Sequence, residues 1–527
     1  MKGLLRIWTS LFRYSGYSKT LSDDPAPQTH QQSEKYHGDG DAGETGFGKR
    51  HNLILLLFFG FSCIYAMRVN LSVAIVAMVK TRPKSKELHS LSDECPAPLP
   101  PPREDEQSPW ESESQAGEFD WDEQSQGLVL GSFFYGYLLT NYLGGRLADR
   151  FGGRRIYGAG ITLTAVLTLL SPVAARHSTG AFVLTRMLVG MAEGVTFPSM
   201  NMLVSYWIPP QERARSLTRI IGGCHVGTVV TLSLSGWFIQ SEWGWPSVFY
   251  VYGALSLVWS WFWFRHTYDS PDQHPTITAA EKCYIKQGIG DHRGKMGLEV
   301  PWHSILTSVP FLVVVVSHIG HNWGFYCLLT ELPTYLKNVQ HFDMKQNGLL
   351  SALPYLVQWV FSLIYSSYMD RLLKEDRLST VQVRKLSMVI ANYFPMVSLL
   401  LMSWVGCDRW LAVVLICVTV GTTGASLCGM HCAFQELAPN FAGTLTGISN
   451  TLATIPGFLA PAVTGTIINN QQTLSRWSEV FHLASFVYFV AGTMYLVFIS
   501  VETQPWNDTN AEKRRDLLKD NAELKTV

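Results

Sequence analysis

The chain has 527 residues with Lys+Arg and Asp+Glu balanced at 41 each, so no global basic field points to nucleic acid as a partner. Only 16% of residues are charged and 47% are hydrophobic, against roughly 25% charged in ordinary globular domains. Those proportions exclude a string of soluble domains and place most of the chain in one integral membrane unit.

Residues 1–51 open with a short amphipathic stretch and continue as a polar one without a small-residue cleavage site, which reads as a cytoplasmic tail. Apolar runs follow, among them Asn52 to Met67, Ile156 to Ala175 and Phe481 to Ser500, near the roughly twenty residues that a bilayer core demands. About twelve spans are predicted, starting near Asn52, Gln126, Ile156, Ala181, Ser216, Ser247, Val309, Gly348, Lys385, Trp410, Gly443 and Val480. Basic residues cluster in alternate loops: Arg150, Arg154 and Arg155, then Arg213, Arg215 and Arg219, then Arg371, Lys374, Arg377, Arg384 and Lys385. Lys and Arg beside a span stay on the cytoplasmic side, so both termini are assigned there. The Pro-rich, acidic stretch 80–123 then lies outside or in a lumen and is expected to be largely unstructured.

The fold class expected is all-α integral membrane, with about twelve transmembrane helices in two six-helix halves. An N-terminal bundle is placed at 52–266, a central cytoplasmic loop at 267–308, a C-terminal bundle at 309–500 and a cytoplasmic tail at 501–527. A degenerate repeat supports the division. GRLADRFGGRR (Gly145 to Arg155) and YMDRLLKEDRLSTVQVRK (Tyr368 to Lys385) both set an Asp-Arg pair at a cytoplasmic helix end, with basic residues before the next span. Asp149, Arg150, Arg154, Asp370 and Arg371 are therefore candidates for a charge latch between the halves; the alternative is a topology signal alone.

These motifs have a wider resemblance. GxLADRxGxRR resembles the signature of the major facilitator superfamily. With MRVNLSVAIVAM (Met67 to Met78), GLVLGSFFYGY (Gly127 to Tyr137), EGVTFP (Glu193 to Pro198), PPQER (Pro209 to Arg213) and GISNTLATIPG (Gly447 to Gly457), the chain is similar to the family of sialin, the vesicular glutamate transporters and the type I sodium-phosphate cotransporters. The match is nearest to sialin. It implies the major facilitator fold and secondary active transport of a small anion, sialic acid or another organic anion, by alternating access with a coupling proton or sodium ion. Sodium-dependent phosphate cotransport is the alternative within the class, and an anion channel the alternative outside it. Lysosomal and plasma membranes are both compatible with this reading. HExxH, GxSxG and paired-aspartate motifs are absent, so no enzyme is expected, and no cofactor is implied.

Arg68 lies well inside the first span, where a guanidinium costs roughly 2.5–3.5 kcal/mol even on insertion scales and needs a partner. A planar fork suits a carboxylate or phosphate, and the resemblance also makes Arg68 the substrate anchor. Arg186 and Glu193 fall two turns apart on nearly one face of the fourth span, as a coupling pair or as a static brace. Tyr135, Asn322, Tyr326 and Asn450 are candidate substrate contacts, weighed against service as helix-helix glue. Val189 and Asn201 stand where sialin carries a second Glu and a His. Leu130 and His321 stand where the glutamate transporters carry a His and an Arg. Glu331 could compensate but is read as a surface group at the outer end of the seventh span. His225, His318, His321 and His431 are read as dispersed, with no metal site. Cys95 and Cys407 are the cysteines that the topology places on the non-cytoplasmic side, and sialin has cysteines at both matching places. The resemblance thus implies a Cys95–Cys407 disulfide, with two free thiols as the alternative.

Overall fold

In a computed structural model of the chain, the described residues are 48–80, 95, 117–289 and 300–507. Most of both expected tails, most of the acidic stretch 80–123 and part of the central loop lie outside them. Seventeen α-helices are described: α1 (Lys49–Met78), α2 (Glu123–Phe151), α3 (Gly153–His177), α4 (Thr179–Gly194), α5 (Thr196–Trp207), α6 (Pro210–Ile239), α7 (Pro246–His266), α8 (Ala279–Ile289), α9 (Trp302–Leu306), α10 (Val309–Asn338), α11 (Met344–Lys374), α12 (Thr380–Val405), α13 (Arg409–Thr423), α14 (Met430–Leu437), α15 (Ala442–Leu452), α16 (Ile455–Ile467) and α17 (Leu474–Phe498). The protein is an all-α membrane fold because a bilayer core offers no partner to free backbone N–H and C=O groups, and helices satisfy them internally.

Ten helical stretches among the described residues are long and apolar enough to cross a membrane. The pair α4 and α5 counts there as one crossing, as does the run from α13 through α14. Two further predicted crossings fall short for identifiable reasons. Glycine, tyrosine and Asn141 dilute the apolar content of α2, and α15 and α16 are two short helices meeting at Ala453 and Thr454. The less apolar α2 is tolerated because it packs on α4 and α16 rather than facing lipid alone.

The two halves meet along α6 with α11, α2 with α16, and α1 with α10. Their outer ends are tied by polar contacts as well. The Glu123 carboxylate accepts from the Asn470 N–H at 3.0 Å and the Gln472 amide at 3.1 Å. Cys95 is joined to Cys407 by a disulfide with Cα atoms 5.3 Å apart, which links the stretch after α1 to the turn between α12 and α13.

Candidate functional site

The site begins with close helix contact. A Cβ on Gly136 of α2 would collide with the Met187 carbonyl, and one on Gly190 of α4 with the Phe133 carbonyl, so these glycines let the two backbones touch. The contact carries Phe133 and Tyr137 of α2, and Glu193 of α4, toward α1. Glu193 occupies the last turn of α4, where the helix breaks at Val195 and the freed Glu193 carbonyl accepts from the Thr196 hydroxyl at 2.6 Å. Irregular backbone at membrane depth is tolerated where side chains resatisfy it, and it often adjoins a site.

Arg68 projects into this junction. Its Nε and Nη2 donate to one oxygen of Glu193, at 3.1 and 2.9 Å. The Arg68 side chain is 5% exposed and that of Glu193 is 0%, so both charges are withdrawn from water. Rings of Tyr65, Phe133 and Tyr137 lie 4.7, 4.8 and 4.9 Å from the guanidinium carbon, boxing the cation with aromatic faces. The other Glu193 oxygen is buried without a hydrogen-bond partner, as are both polar atoms of the Asn70 amide. A cavity of about 20 Å³ adjoins the pair, lined by Arg68, Ser72, Phe133 and Arg186 from one half and by Leu329 and Thr330 of α10 from the other. That is room for a water or two.

The other sequence candidates take different places. Arg186 makes no ion pair with Glu193; its two terminal nitrogens reach the Met67 and Arg68 carbonyls at 3.4 Å each, so it braces α1 rather than the carboxylate. Tyr135 packs at 4.6 Å against Phe458 of α16, in a tilted ring contact across the two halves. Tyr137 and Phe133, one turn apart, are the residues of that motif that reach the guanidinium. Asn322 donates at 2.8 Å to the Ala453 carbonyl, satisfying the break between α15 and α16. Tyr326 packs 4.7 Å from Phe134 across the interface between halves, and Asn450 is half-buried on α15. The histidines are not dispersed in space: the His318 and His431 rings lie 5.2 Å apart, His318 bonds the Ser449 hydroxyl at 2.8 Å, and His321 contacts the Ser426 hydroxyl at 3.4 Å. Helix spacing alone could not reveal that grouping, because His431 comes from the far side of the C-terminal half.

At the helix ends that carry the charge motifs, the described contacts are local. The Arg154 N–H donates to Asp269 at 2.7 Å and its guanidinium lies over Tyr268, contacts that stay within the N-terminal half. Arg150 is exposed over Phe151; Asp370 and Arg371 are exposed at the end of α11. The Asp149 side chain lies outside what the structure describes. Pairs that the motif reading missed stand nearby. Arg384 forms a fork on Glu436 at 2.6–3.1 Å and also reaches the Cys428 carbonyl. Glu281 of α8 accepts the Lys49 and Arg50 N–H groups at 2.9 and 3.0 Å, capping α1. Below it, Lys282 and Lys286 hold the exposed Asp272 carboxyl down to about 2.

Comparison with known proteins decides the family. The sequence pattern of the Major Facilitator Superfamily matches residues 57–461. The chain belongs to that superfamily. This facilitator is 38% identical over 479 residues to a Drosophila melanogaster protein named "Putative inorganic phosphate cotransporter", covering 90% of this chain and 89% of that one. It is 38% identical over 460 residues to human sialin, with 87% and 90% covered, and 34% identical over 475 residues to human vesicular glutamate transporter 2, with 89% and 77% covered. Among solved structures, a bacterial homologue of the human lysosomal transporter Spinster, inward-facing and unoccupied, superposes with a TM-score of 0.63 at 14% identity, covering 88% of this chain and all of that one. The last likeness concerns the fold. The facilitator is a multi-pass membrane transporter.

Proposed function

We propose that this facilitator is a proton-coupled carrier of small anions, in which Arg68 receives the anionic group and Glu193 exchanges the coupling proton. One observation carries the reading: a guanidinium at membrane depth whose only counter-charge among the described residues is an internal carboxylate, beside a cavity lined by both halves. An incoming carboxylate or phosphate has the geometry to replace Glu193 on the fork of Arg68. Protonation of Glu193 removes the competing charge and frees Arg68; deprotonation restores the internal pair and expels the anion. The order of events couples one proton to one anion without a dedicated cation cage. Sodium fits less well, because the cavity is lined by two guanidiniums, Arg68 and Arg186, which repel a metal cation.

Rocking of residues 52–266 against 309–500 exposes the site to each side in turn. Relatives named for sialic acid, glutamate and phosphate support anions as the substrate class. The test is uptake into proteoliposomes of a panel that includes sialic acid, glutamate and inorganic phosphate, with proton and sodium gradients imposed separately. Concentrative uptake of at least one anion under the proton gradient, lost in Glu193→Gln, is expected. Accumulation by the Gln variant under that gradient, or accumulation driven by sodium alone, overturns the reading.

A further inference from the structure

Glu331 lies in the outer third of α10, where sequence reasoning read a surface group. It is 5% exposed, and among the described residues no ion pair or hydrogen bond engages its carboxyl. It lines a cavity of about 10 Å³ with Cys327, Leu332, Tyr335, Ile416, Trp477 and Phe481, space for about one water. A bare carboxylate in such surroundings is very costly, and the group takes its neutral form instead.

The surroundings contain nothing to hold it ionised. Titratable neighbours in the enclosing cluster are Cys327, Tyr335, Tyr355 and Tyr488, with Tyr326 and Cys417 at its edge. None carries a charge near neutral pH. The charged residues on elements packed against α10 are engaged elsewhere. Arg68 of α1 pairs with Glu193, Lys345 of α11 lies over Trp237, Arg409 of α13 lies over Phe342, and Arg476 of α17 pairs with Glu479. The Cys327 thiol is taken by the Thr464 hydroxyl of α16. A metal cation would want several oxygen ligands, and the cavity lining offers only the carboxyl and the Tyr335 phenol beside apolar groups.

Position links this carboxyl to the anion site. Leu329 and Thr330 line the Arg68 cavity, while the next residue, Glu331, lines the second cavity toward α13 and α17. One turn of α10 is thus the wall between the two. We propose that Glu331 is a second proton-binding site, in the C-terminal half, protonated in this conformation and releasing its proton when α10 shifts and water enters. The inference rests on the proton-coupled reading above and adds a proton site to it. It makes α10 the element through which both halves sense protonation, since each face of that turn borders one carboxyl-bearing region.

The test uses the full chain in lipid and reads the carboxyl directly. Difference infrared spectra recorded as pH is raised should show the C=O band of a buried protonated carboxyl titrating, and that band should be missing in Glu331→Gln. Recording both in a Glu193→Gln background separates the two carboxyls, so failure of the Arg68–Glu193 reading leaves this band in place. In proteoliposomes, the ratio of proton-driven accumulation to equal-pH exchange should fall roughly ten-fold in Glu331→Gln, an ordinary coupling energy. A static buried acid would leave that ratio alone. A carboxyl spectrum identical in the Gln variant, or a ratio equal to that of the unsubstituted protein, overturns the proposal.

Discussion

The N- and C-terminal halves treat buried charge in opposite ways. Beside the cavity the N-terminal half keeps a full ion pair, Arg68 with Glu193, wrapped in three aromatic rings. The C-terminal half carries His318 and His321, Asn322 and the unpartnered Glu331 on α10, and its own ion pair, Arg384 with Glu436, is partly solvated and joins α12 to α14. A permanent cation needs a counter-charge, and with both members of the pair in one half, Glu193 stays within reach of Arg68 however the halves rock. A group that can be neutral needs no such partner, so it can sit alone on the wall between cavities.

Substitutions can break or sharpen this contrast. The largest effect is expected for Arg68→Lys, which retains the charge but not the fork: transport should drop roughly a hundred-fold, about 3 kcal/mol in activation terms, with the protein still folded and in its membrane. Uptake assays on matched amounts of protein check this, and near-normal flux would remove Arg68 from the anchor role. Next, Glu193→Leu strands a buried guanidinium and should destabilise the N-terminal half by about 3–5 kcal/mol, while adding Arg68→Met recovers most of the loss. Thermal unfolding in one detergent compares the three proteins, and absence of recovery would mean that the pair does not act as a unit.

The disulfide comes third. Cys95→Ser should lower stability by about 2–4 kcal/mol through the freed outer stretch, and non-reducing mass spectrometry of the unsubstituted protein should find the Cys95–Cys407 link. Both thiols found free would contradict the bond and the outer placement of these residues. Arg384→Gln, at a partly solvated pair whose side chains are 10% and 22% exposed, should cost about 1–3 kcal/mol. The smallest change belongs to Glu331→Gln, which replaces a neutral, unpartnered acid by an amide of the same shape. Its thermal stability should stay within about 0.5 kcal/mol, and a loss like that of Glu193→Leu would show that Glu331 is ionised and paired.

Helix positions were legible in the chain because length and apolarity are properties of each segment alone. Arg68 stood out for the same reason: an arginine deep in an apolar run is conspicuous without any neighbour. What each helix faces was not legible. Tyr135 and Tyr137 share one motif, yet only the second is turned toward Arg68, since α2 presents one stripe to α1 and another to α16. Arg186 and Glu193 lie on nearly one face of α4, yet Glu193 meets Arg68 while Arg186 reaches the α1 carbonyls. His431 joins His318 only because α14 folds back beside α10, and Glu331 is buried only because α13 and α17 cover the outer end of that helix.

By itself, then, the sequence determined most of the segments able to cross the membrane and which residue types stand within them, because the bilayer acts on every segment separately. Tertiary structure alone decided which carboxylate answers Arg68, which aromatic rings box it and whether Glu331 meets water. Those outcomes depend on pairwise helix packing, and the 3.6-residue period records a side chain's direction on its own helix but not the neighbour waiting there.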